Sequence, residues 1–235
     1  MSIAENITHV RERIAAAAAR VRRRPEDITL MAVSKTVEPE RIREAYEAGL
    51  RVFGENRVQE FEKKADALAD LKDAEWHLIG HLQSNKARKA GEMFQAVDSV
   101  DSLHLAQKLN ESAKEMVKIL PVLIEIKVSD EASKSGIPVS SPELEKLLEA
   151  AATLDHLQVR GLMTVPPYTE EPEGARFFFR LLRDRRDQIA ARRLPRIQMD
   201  VLSMGMSHDF EVAIEEGSTC VRVGTAIFGQ RPKPA

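Results

Sequence analysis

The stretch TLMAVSKT, residues 29–36, decides the fold of this chain. Its apolar and small residues are typical of a short buried strand, and the run ends in Lys35. The segment EPE, residues 38–40, follows at once and opens a helical pattern. A strand that leads directly into a helix is the first half of a βα unit. Lys35 is then expected at the carboxyl end of the strand, the edge where α/β folds bind ligands.

The same alternation continues through the chain. It predicts eight short strands, near residues 28–34, 51–54, 75–80, 94–100, 121–128, 159–164, 199–203 and 219–224. Helical patterns separate them, over residues 39–50, 55–71, 84–92 and 101–118, from 142, and over 173–193 and 207–216. This order predicts an α/β fold in which a parallel sheet closes into one (β/α)8 TIM barrel. We therefore expect residues 1–235 to form a single domain, with its one long loop around 129–140.

The first 24 residues allow two interpretations. They carry six arginines, which makes a transit peptide conceivable. However, Glu5 and Glu12 interrupt the basic run, and apolar residues recur at helical spacing from Ile3 to Val21. This periodicity favours an extra N-terminal amphipathic helix, within residues 1–24, that packs on the barrel.

Composition narrows the class of protein. The chain has 235 residues, 43% of them hydrophobic, and a formal net charge of -2. A charge so close to zero argues against a nucleic-acid or membrane-surface partner. No apolar run reaches the roughly 18 residues that a membrane span needs. The single cysteine, Cys220, excludes an internal disulfide and is typical of a reducing cytosol, so we expect a cytoplasmic protein.

Lys35 is the first candidate for chemistry. An amine that is partly desolvated at the mouth of a barrel has a lowered pKa and can attack a carbonyl group. The alternative is an ordinary surface lysine that ends a strand, since lysine and arginine together number 35. Position alone leaves both interpretations open.

The second candidate is an anion site near the end of the chain. The loop SMGMS, residues 203–207, follows the seventh strand, and Gly224-Thr225 ends the eighth. In TIM barrels these two loops often bind phosphate through backbone N–H groups, to which Ser203, Ser207 and Thr225 would add hydroxyl donors. The alternative is that the glycines only serve turns and that Ser207 only caps its helix.

Two more side chains are expected at the same mouth. Arg222 shares a strand face with Gly224 and should point into the barrel, where a buried arginine needs an acceptor. A ligand would satisfy it, and a carboxylate such as Glu125 would do so equally well. Asn56 follows the second strand, and it either caps the next helix or contacts a ligand.

Other motifs exclude several chemistries. His77 and His81 are not placed on one helix face, and no third ligand accompanies them, so we predict no metal site. The chain has no nucleophile elbow of the type used in Ser-His-Asp catalysis. It also has no glycine-rich dinucleotide or P-loop motif. The residues alone therefore predict a barrel with one candidate Schiff-base lysine and one candidate phosphate site, for which the structural alternatives stay open, and they do not name a cofactor.

Six stretches match the pattern of one family, in order and over nearly the whole chain. They are AVSKT at 32–36, FGEN at 53–56, WHLIGHLQSNK at 76–86, GLMT at 161–164, LSMGMS at 202–207 and GSTCVRVGTAIFG at 217–229. On these motifs the sequence closely resembles the pyridoxal phosphate homeostasis protein family, which is related to the N-terminal barrel of alanine racemase. A small departure is Arg57, where an aromatic residue is expected after FGEN.

The resemblance implies a barrel that holds pyridoxal 5'-phosphate (PLP). Lys35 matches the lysine that forms the internal aldimine, and Arg222 matches the arginine that faces the pyridine nitrogen. The remaining matches lie beside the cofactor or form its phosphate cradle: Asn56, Ser203, Met204, Ser207, Gly224 and Thr225. The implied role is intracellular PLP (vitamin B6) homeostasis.

The chemistry of the implied site favours a carrier. PLP enzymes that need a strong electron sink pair the ring nitrogen with a carboxylate, whereas Arg222 stays charged and cannot accept that proton. A two-base racemase also needs a second acid or base, and the related racemase takes it from a further domain that we expect to be absent here. Only two tyrosines remain, Tyr46 and Tyr168, which we expect in the core and in a loop.

We therefore predict a monomeric PLP carrier rather than an enzyme. Its expected partners are PLP and, beyond it, amino acids or apo-enzymes that need PLP. Two alternatives stay open on the sequence. One is a weak amino-acid racemase or related PLP enzyme built from a single barrel. The other is a cofactor-free, aldolase-like barrel that acts on sugar phosphates.

Overall fold

The computed structural model describes residues 1–129, 131 and 134–230. Within them the strands are β1 Thr29–Val33, β2 Val52–Glu55, β3 Glu75–Leu78, β4 Ala96–Val100, β5 Leu120–Lys127, β6 Ile137–Pro138, β7 Leu157–Met163, β8 Ile197–Met206 and β9 Cys220–Val223. Eight of these are joined by parallel pairing into a closed ring, in the order β1, β2, β3, β4, β5, β7, β8, β9 and back to β1. The two-residue β6 pairs only with β5. The predicted TIM barrel is confirmed.

Helices fill the connections between the strands. Their bounds are α1 Ile3–Arg20, α2 Pro39–Glu47, α3 Val58–Ala65, α4 Ala87–Met93, α5 Leu103–Glu115, α6 Pro142–Ala151, α7 Arg176–Ala191, α8 Phe210–Glu215 and α9 Thr225–Phe228. Short 3-10 helices cover Pro25–Asp27, Asp66–Leu68, Ser84–Lys86 and Pro172–Ala175. In the part of the chain that the structure describes, no helix is long and apolar enough to cross a membrane.

The predicted N-terminal helix is α1. It begins with a capping box between Ser2 and Glu5, which satisfies N–H groups that the first turn leaves unpaired. Its apolar face is buried, and α1 packs against α2, α8 and α9. The Asn6 side-chain amide donates to the carbonyl of Ile227 at 2.8 Å, and Arg13 forms an ion pair with Glu211. The first helix therefore packs against the last helices of the chain, on the side of the barrel where β9 lies.

Several boundaries differ from the sequence prediction. The helix expected from 55 begins at Val58, because Glu55 still belongs to β2 and the backbone at Arg57 is extended. The helix expected from 207 begins at Phe210, because Asp209 accepts a hydrogen bond from the Met206 N–H and closes a turn first. The helix α9 was not predicted. Residues 130, 132 and 133 of the expected long loop lie outside the described residues.

The main apolar core lies between the barrel wall and the surrounding helices. On β9, for example, Val221 and Val223 belong to this core, while Cys220 and Arg222 alternate with them and point into the barrel. The interior is more polar than the outer layer. Buried polar side chains within it include Asp98, Ser203 and Arg222. The outer layer thus holds the fold together, and the barrel interior is left available for polar chemistry.

Candidate functional site

A cavity of about 460 Å³ lies at the carboxyl ends of the strands. Six of the eight predicted site residues line it: Lys35, Asn56, Ser207, Arg222, Gly224 and Thr225. Its wall also contains polar residues that the sequence did not assign to the site: His81, Glu125, Lys134, Ser135 and His208. The volume is in the range of small-molecule and cofactor pockets. The fold therefore brings most of the predicted site together in one place.

Lys35 is placed by a tight turn at the end of β1. The N–H of Val37 donates to the carbonyl of Ser34 at 3.0 Å, and Thr36 has a φ of +59°. A residue other than glycine rarely adopts this left-handed conformation, so the surrounding structure must hold it. Because Lys35 lies inside this turn, its half-buried side chain is carried to the cavity wall.

Three buried polar residues hold that turn from outside the barrel, and we call Ser34, Glu55 and Lys64 the clasp. The Lys64 ammonium lies 2.8 Å from the Glu55 carboxylate and donates to the carbonyl of Ser34 at 2.8 Å. The Ser34 hydroxyl donates to the same carboxylate at 2.5 Å. Burial raises the pKa of Glu55, and the charge of Lys64 opposes that change. The clasp thereby ties the ends of β1 and β2 to α3.

The clasp residues alternate with cavity residues along the chain. Ser34 precedes Lys35, and Glu55 precedes Asn56. Since neighbouring residues of an extended strand point to opposite sides, fixing one on the outer side fixes the next on the inner side. The sequence analysis did not identify this cluster. Its signal was a charged residue, Glu55, within an otherwise apolar strand.

The backbone of Asn56 lies very close to Gly80, just after β3. A Cβ atom added at Gly80 would lie 2.4 Å from the carbonyl oxygen of Asn56, so no side chain fits there. The carbonyl of Gly80 in turn accepts a hydrogen bond from the Ser99 hydroxyl at 2.7 Å. This close approach brings Asn56, Gly80 and His81 together as one wall of the cavity.

The loops after β8 and β9 meet at Ser207. Its hydroxyl accepts hydrogen bonds from the N–H groups of Gly224 at 3.2 Å and Ala226 at 3.4 Å. Gly205 has a φ of +93°, and a Cβ there would lie 2.5 Å from the Cβ of Ala213. Backbone N–H groups and hydroxyls gathered in one concave place favour an anionic ligand. Ser207, Gly224 and Thr225 of the predicted anion site therefore lie together on the cavity wall.

Ser203 and Met204 do not line the cavity. Both are fully buried, with 0% of their surface exposed. The cause is a bulge in β8. Ser203 pairs with Cys220 and Met206 pairs with Arg222, so β8 advances by three residues where β9 advances by two. This bulge leaves Ser203 deep in the barrel and carries Ser207 up to the cavity.

Arg222 crosses from the barrel interior to the cavity and is only 3% exposed. Its guanidinium donates to the Ser203 hydroxyl and to the carbonyl of Thr164, both at 2.7 Å. Burial lowers the pKa of Arg222, although a guanidinium stays protonated at neutral pH. The Ser203 hydroxyl therefore accepts a hydrogen bond that holds the Arg222 guanidinium. Arg222 lines the cavity, and Ser203 does not.

Glu125 is the cavity residue that the sequence analysis weighed only as a partner for Arg222. It is 7% exposed, and its Oε2 atom has no hydrogen-bond partner among the described residues. No ion pair joins it to Arg222 within that part of the chain. Burial and the nearby charge of Asp101 raise the pKa of Glu125 to about 7, against the opposite influence of Arg222 and His81. A carboxyl group that titrates near neutral pH thus faces the cavity.

A second cavity, of about 550 Å³, lies at the opposite end of the barrel. Its wall includes His77, whose ring lies 3.1 Å from the carboxylate of Asp98. Burial opposes protonation of His77, but Asp98 and Glu75 outweigh it and raise its pKa to about 10. Among the described residues no cluster fits a metal ion. This end of a TIM barrel usually serves stability, and we assign the His77–Asp98 pair that role.

The comparisons with known proteins agree with this geometry. A family model described as the alanine racemase N-terminal domain matches residues 6–232. Alanine racemase from Corynebacterium glutamicum has the same barrel, with a TM-score of 0.72 at 20% identity over 97% of this chain and 62% of its own. The fold and the cavity therefore place this chain in the class of alanine-racemase-like barrels.

Full-length relatives narrow the assignment. The proteins of Aquifex aeolicus (strain VF5) and Escherichia coli (strain K12) are 47% and 46% identical, over 232 and 231 residues. The matches cover 98% and 97% of this chain, and 99% and 97% of the relatives. Both relatives are named pyridoxal phosphate homeostasis protein. This chain belongs to the pyridoxal phosphate homeostasis protein family.

A solved structure of another relative contains bound PLP. PipY of Synechococcus elongatus PCC7942, determined with PLP bound, has a TM-score of 0.85 and 38% identity. The match covers 97% of this chain and 100% of PipY. The roles of individual residues in this chain toward PLP stay predictions.

Proposed function

We propose that this protein binds PLP reversibly in the cavity described above and takes part in intracellular PLP homeostasis. One observation carries the proposal. An amine, Lys35, and an anion cradle at Ser207, Gly224 and Thr225 line the same cavity, as a ligand with an aldehyde and a phosphate requires. The names of the full-length relatives and the PLP-bound structure of PipY support it.

The donor set fits PLP group by group. The cradle offers the hydroxyl groups of Ser207 and Thr225 to the phosphate, and Asn56 lies on the same wall of the cavity as Gly80. Arg222 offers a fixed positive charge and no proton acceptor to the ring nitrogen. PLP supplies an aldehyde that lysine amines bond and a ring that can accept electrons. Lys35 is the residue that we propose holds that aldehyde.

Arg222 argues for binding rather than strong catalysis. A ring nitrogen that faces a guanidinium stays unprotonated, and an unprotonated ring is a poor electron sink. The two tyrosines add no second acid or base to the cavity wall. Tyr46 hydrogen-bonds Asp73 on the outside of the barrel, and Tyr168 is 80% exposed and lies against the ring of His208. These features favour a carrier over the racemase alternative.

We further propose how the carrier works in the cell. Residues 1–235 act as one PLP-binding domain and function as a monomer in the cytoplasm. The protein keeps the reactive aldehyde scarce and releases it to amino acids or to PLP-dependent apo-enzymes.

The test is the visible spectrum of the purified protein before and after borohydride reduction, followed by peptide mapping. Reduction should fix PLP on Lys35, and Lys35→Ala should abolish the covalent adduct while the cradle still retains some PLP. The exposed Lys72 provides a matched control, since Lys72→Ala should form the adduct as the protein without a substitution does. A reduced adduct on any other lysine contradicts the assignment.

Catalysis is tested separately with D- and L-amino acids. Loss of optical rotation is followed for the protein and for Lys35→Ala. A carrier should leave the rotation unchanged over many minutes. Turnover near ordinary enzyme rates, about 1 per second or more, would exclude the carrier and favour the racemase.

A further inference from the structure

Glu125 presents an unusual group to the cofactor cavity. Its side chain is more than nine-tenths buried, it lines the cavity together with Lys35, and its Oε2 atom has no hydrogen-bond partner among the described residues. Buried carboxylate oxygens are nearly always hydrogen-bonded, so an unsatisfied one next to a cavity indicates a donor that the ligand brings.

The charges around Glu125 come from several elements. Asp101, at the end of β4, disfavours the ionised form, while His81 after β3 and Arg222 on β9 favour it. His81 is itself paired with Asp101 at 2.8 Å. Lys35, Lys134 and His208 line the same cavity. Burial and these charges together raise the pKa of Glu125 to about 7, so neither protonation state is strongly preferred at neutral pH.

The chemistry of this group selects one class of donor. A carboxyl group balanced between two protonation states is converted to its ionised form by a cation that also donates hydrogen bonds. A primary ammonium meets both conditions, whereas an anionic group would be repelled. Once bound, the ammonium can lose a proton to the carboxylate, because an alkyl ammonium is otherwise protonated at neutral pH and unable to attack carbon.

We propose that Glu125 forms an ammonium subsite in the cofactor cavity and is the proton acceptor for primary amines that displace Lys35 from PLP. This inference rests on the proposed function. The ammonium transfers a proton to the Glu125 carboxylate, and its freed lone pair forms a bond to the carbon that is doubly bonded to the protonated Lys35 nitrogen, while the π electron pair of that double bond moves to the Lys35 nitrogen. A proton then passes from the incoming nitrogen to the Lys35 nitrogen. The remaining bond between the carbon and the Lys35 nitrogen breaks with its electron pair going to that nitrogen, as the lone pair of the incoming nitrogen forms the new double bond, and Glu125 returns its proton to the Lys35 amine. The amine leaves with PLP, and Lys35 is restored.

The release of PLP by two amines that differ in charge at neutral pH distinguishes a proton acceptor at Glu125 from a purely structural role. Methylamine is protonated at neutral pH and needs a proton acceptor, whereas hydroxylamine is largely uncharged there and does not. In Glu125→Gln, release of PLP by methylamine should slow by on the order of 100-fold, with release by hydroxylamine nearly unchanged. Glu170→Gln, which changes the same charge on an exposed residue after β7, should leave both rates unchanged.

Two further measurements complete the test. In Glu125→Ala, added formate should restore part of the methylamine rate, because it supplies the missing carboxylate. In the PLP-free protein, infrared spectroscopy should show a protonated carboxyl band that titrates near pH 7 and is absent from Glu125→Gln.

Equal slowing of methylamine and hydroxylamine in Glu125→Gln, or no slowing at all, overturns the inference. So does a carboxyl band near pH 7 whose amplitude is the same in the parent and in Glu125→Gln. These outcomes leave the proposed function intact as long as PLP still forms its adduct with Lys35. A protein that forms no adduct contradicts the proposed function itself, and the two failures are thereby distinguished.

Discussion

Arg222 donates a hydrogen bond to the hydroxyl of Ser203 across 2.7 Å, in the interior of the barrel. Ser203 is fully buried and does not line the cavity, whereas Ser207 lies on the cavity wall itself. Ser203 in β8 and Ser207 just after it therefore have different expected roles.

Substitution of each serine separates these roles. Ser207→Ala should weaken binding of PLP about tenfold while pyridoxal, which lacks the phosphate, is affected much less, because a hydrogen bond to a charged group is lost. Ser203→Ala should leave the ratio of the two affinities unchanged. Fluorescence titration with both ligands measures this. A changed ratio in Ser203→Ala would show that Ser203 contacts the phosphate.

Arg222→Glu tests what faces the ring nitrogen. A carboxylate there should favour the protonated ring and shift both the visible absorption of bound PLP and its pH dependence. Absorption spectra between about pH 6 and pH 9 measure the effect. Circular dichroism is the control for folding. A folded variant whose spectrum is unchanged across this range would mean that Arg222 does not face the ring.

Lys64→Met tests the clasp. The substitution leaves the buried Glu55 carboxylate without its charge partner, so the free energy of unfolding should fall by about 3 kcal/mol. PLP uptake should slow as well, since the turn that carries Lys35 is released. Urea unfolding and the rate of adduct formation measure the two effects. The double variant Lys64→Met, Glu55→Leu should regain much of the stability, and a single variant as stable as the parent would contradict the role of the clasp.

Glu125 should make the stability of the PLP-free protein depend on pH. Its folded pKa of about 7 lies above the ordinary value of 4.5, so its contribution is fully present below pH 4.5 and is lost as the pH rises through 7. The free energy of unfolding should therefore be lower above pH 7 than below pH 4.5 by about 3 kcal/mol on account of Glu125. Urea unfolding of the parent and of Glu125→Gln at several pH values between 4.5 and 7 should show a loss of stability that is larger by this amount in the parent. Parallel curves would contradict a raised pKa.

The His77–Asp98 pair should act in a higher pH range. The folded pKa of about 10 lies above the ordinary 6.5, so the stability it contributes is fully present below pH 6.5 and is lost as the pH rises through 10. Asp98→Asn should remove that dependence and lower stability by about 3 kcal/mol. Because the pair lies at the opposite end of the barrel, adduct formation at Lys35 should persist. Loss of the adduct in a folded Asp98→Asn protein would show that this end takes part in binding.

The order of strand and helix patterns along the chain was enough to predict the barrel. Hydrophobic periodicity is local, and eight short apolar runs separated by helices leave few alternatives to a closed parallel sheet. The same reasoning placed Lys35, Asn56, Arg222 and Gly224 at one edge, because the carboxyl ends of parallel strands meet there. The family motifs then indicated PLP.

Only the tertiary structure decided which polar residues face the cavity. The bulge in β8 sets Ser203 below the cavity and Ser207 on it, and strand alternation alone cannot show a bulge. The clasp joins residues 34, 55 and 64, and the surroundings of Glu125 come from β3, β4 and β9. Hydrogen bonding and pKa depend on the distance between groups that are far apart in sequence, so the chain encodes these contacts but displays them only when folded.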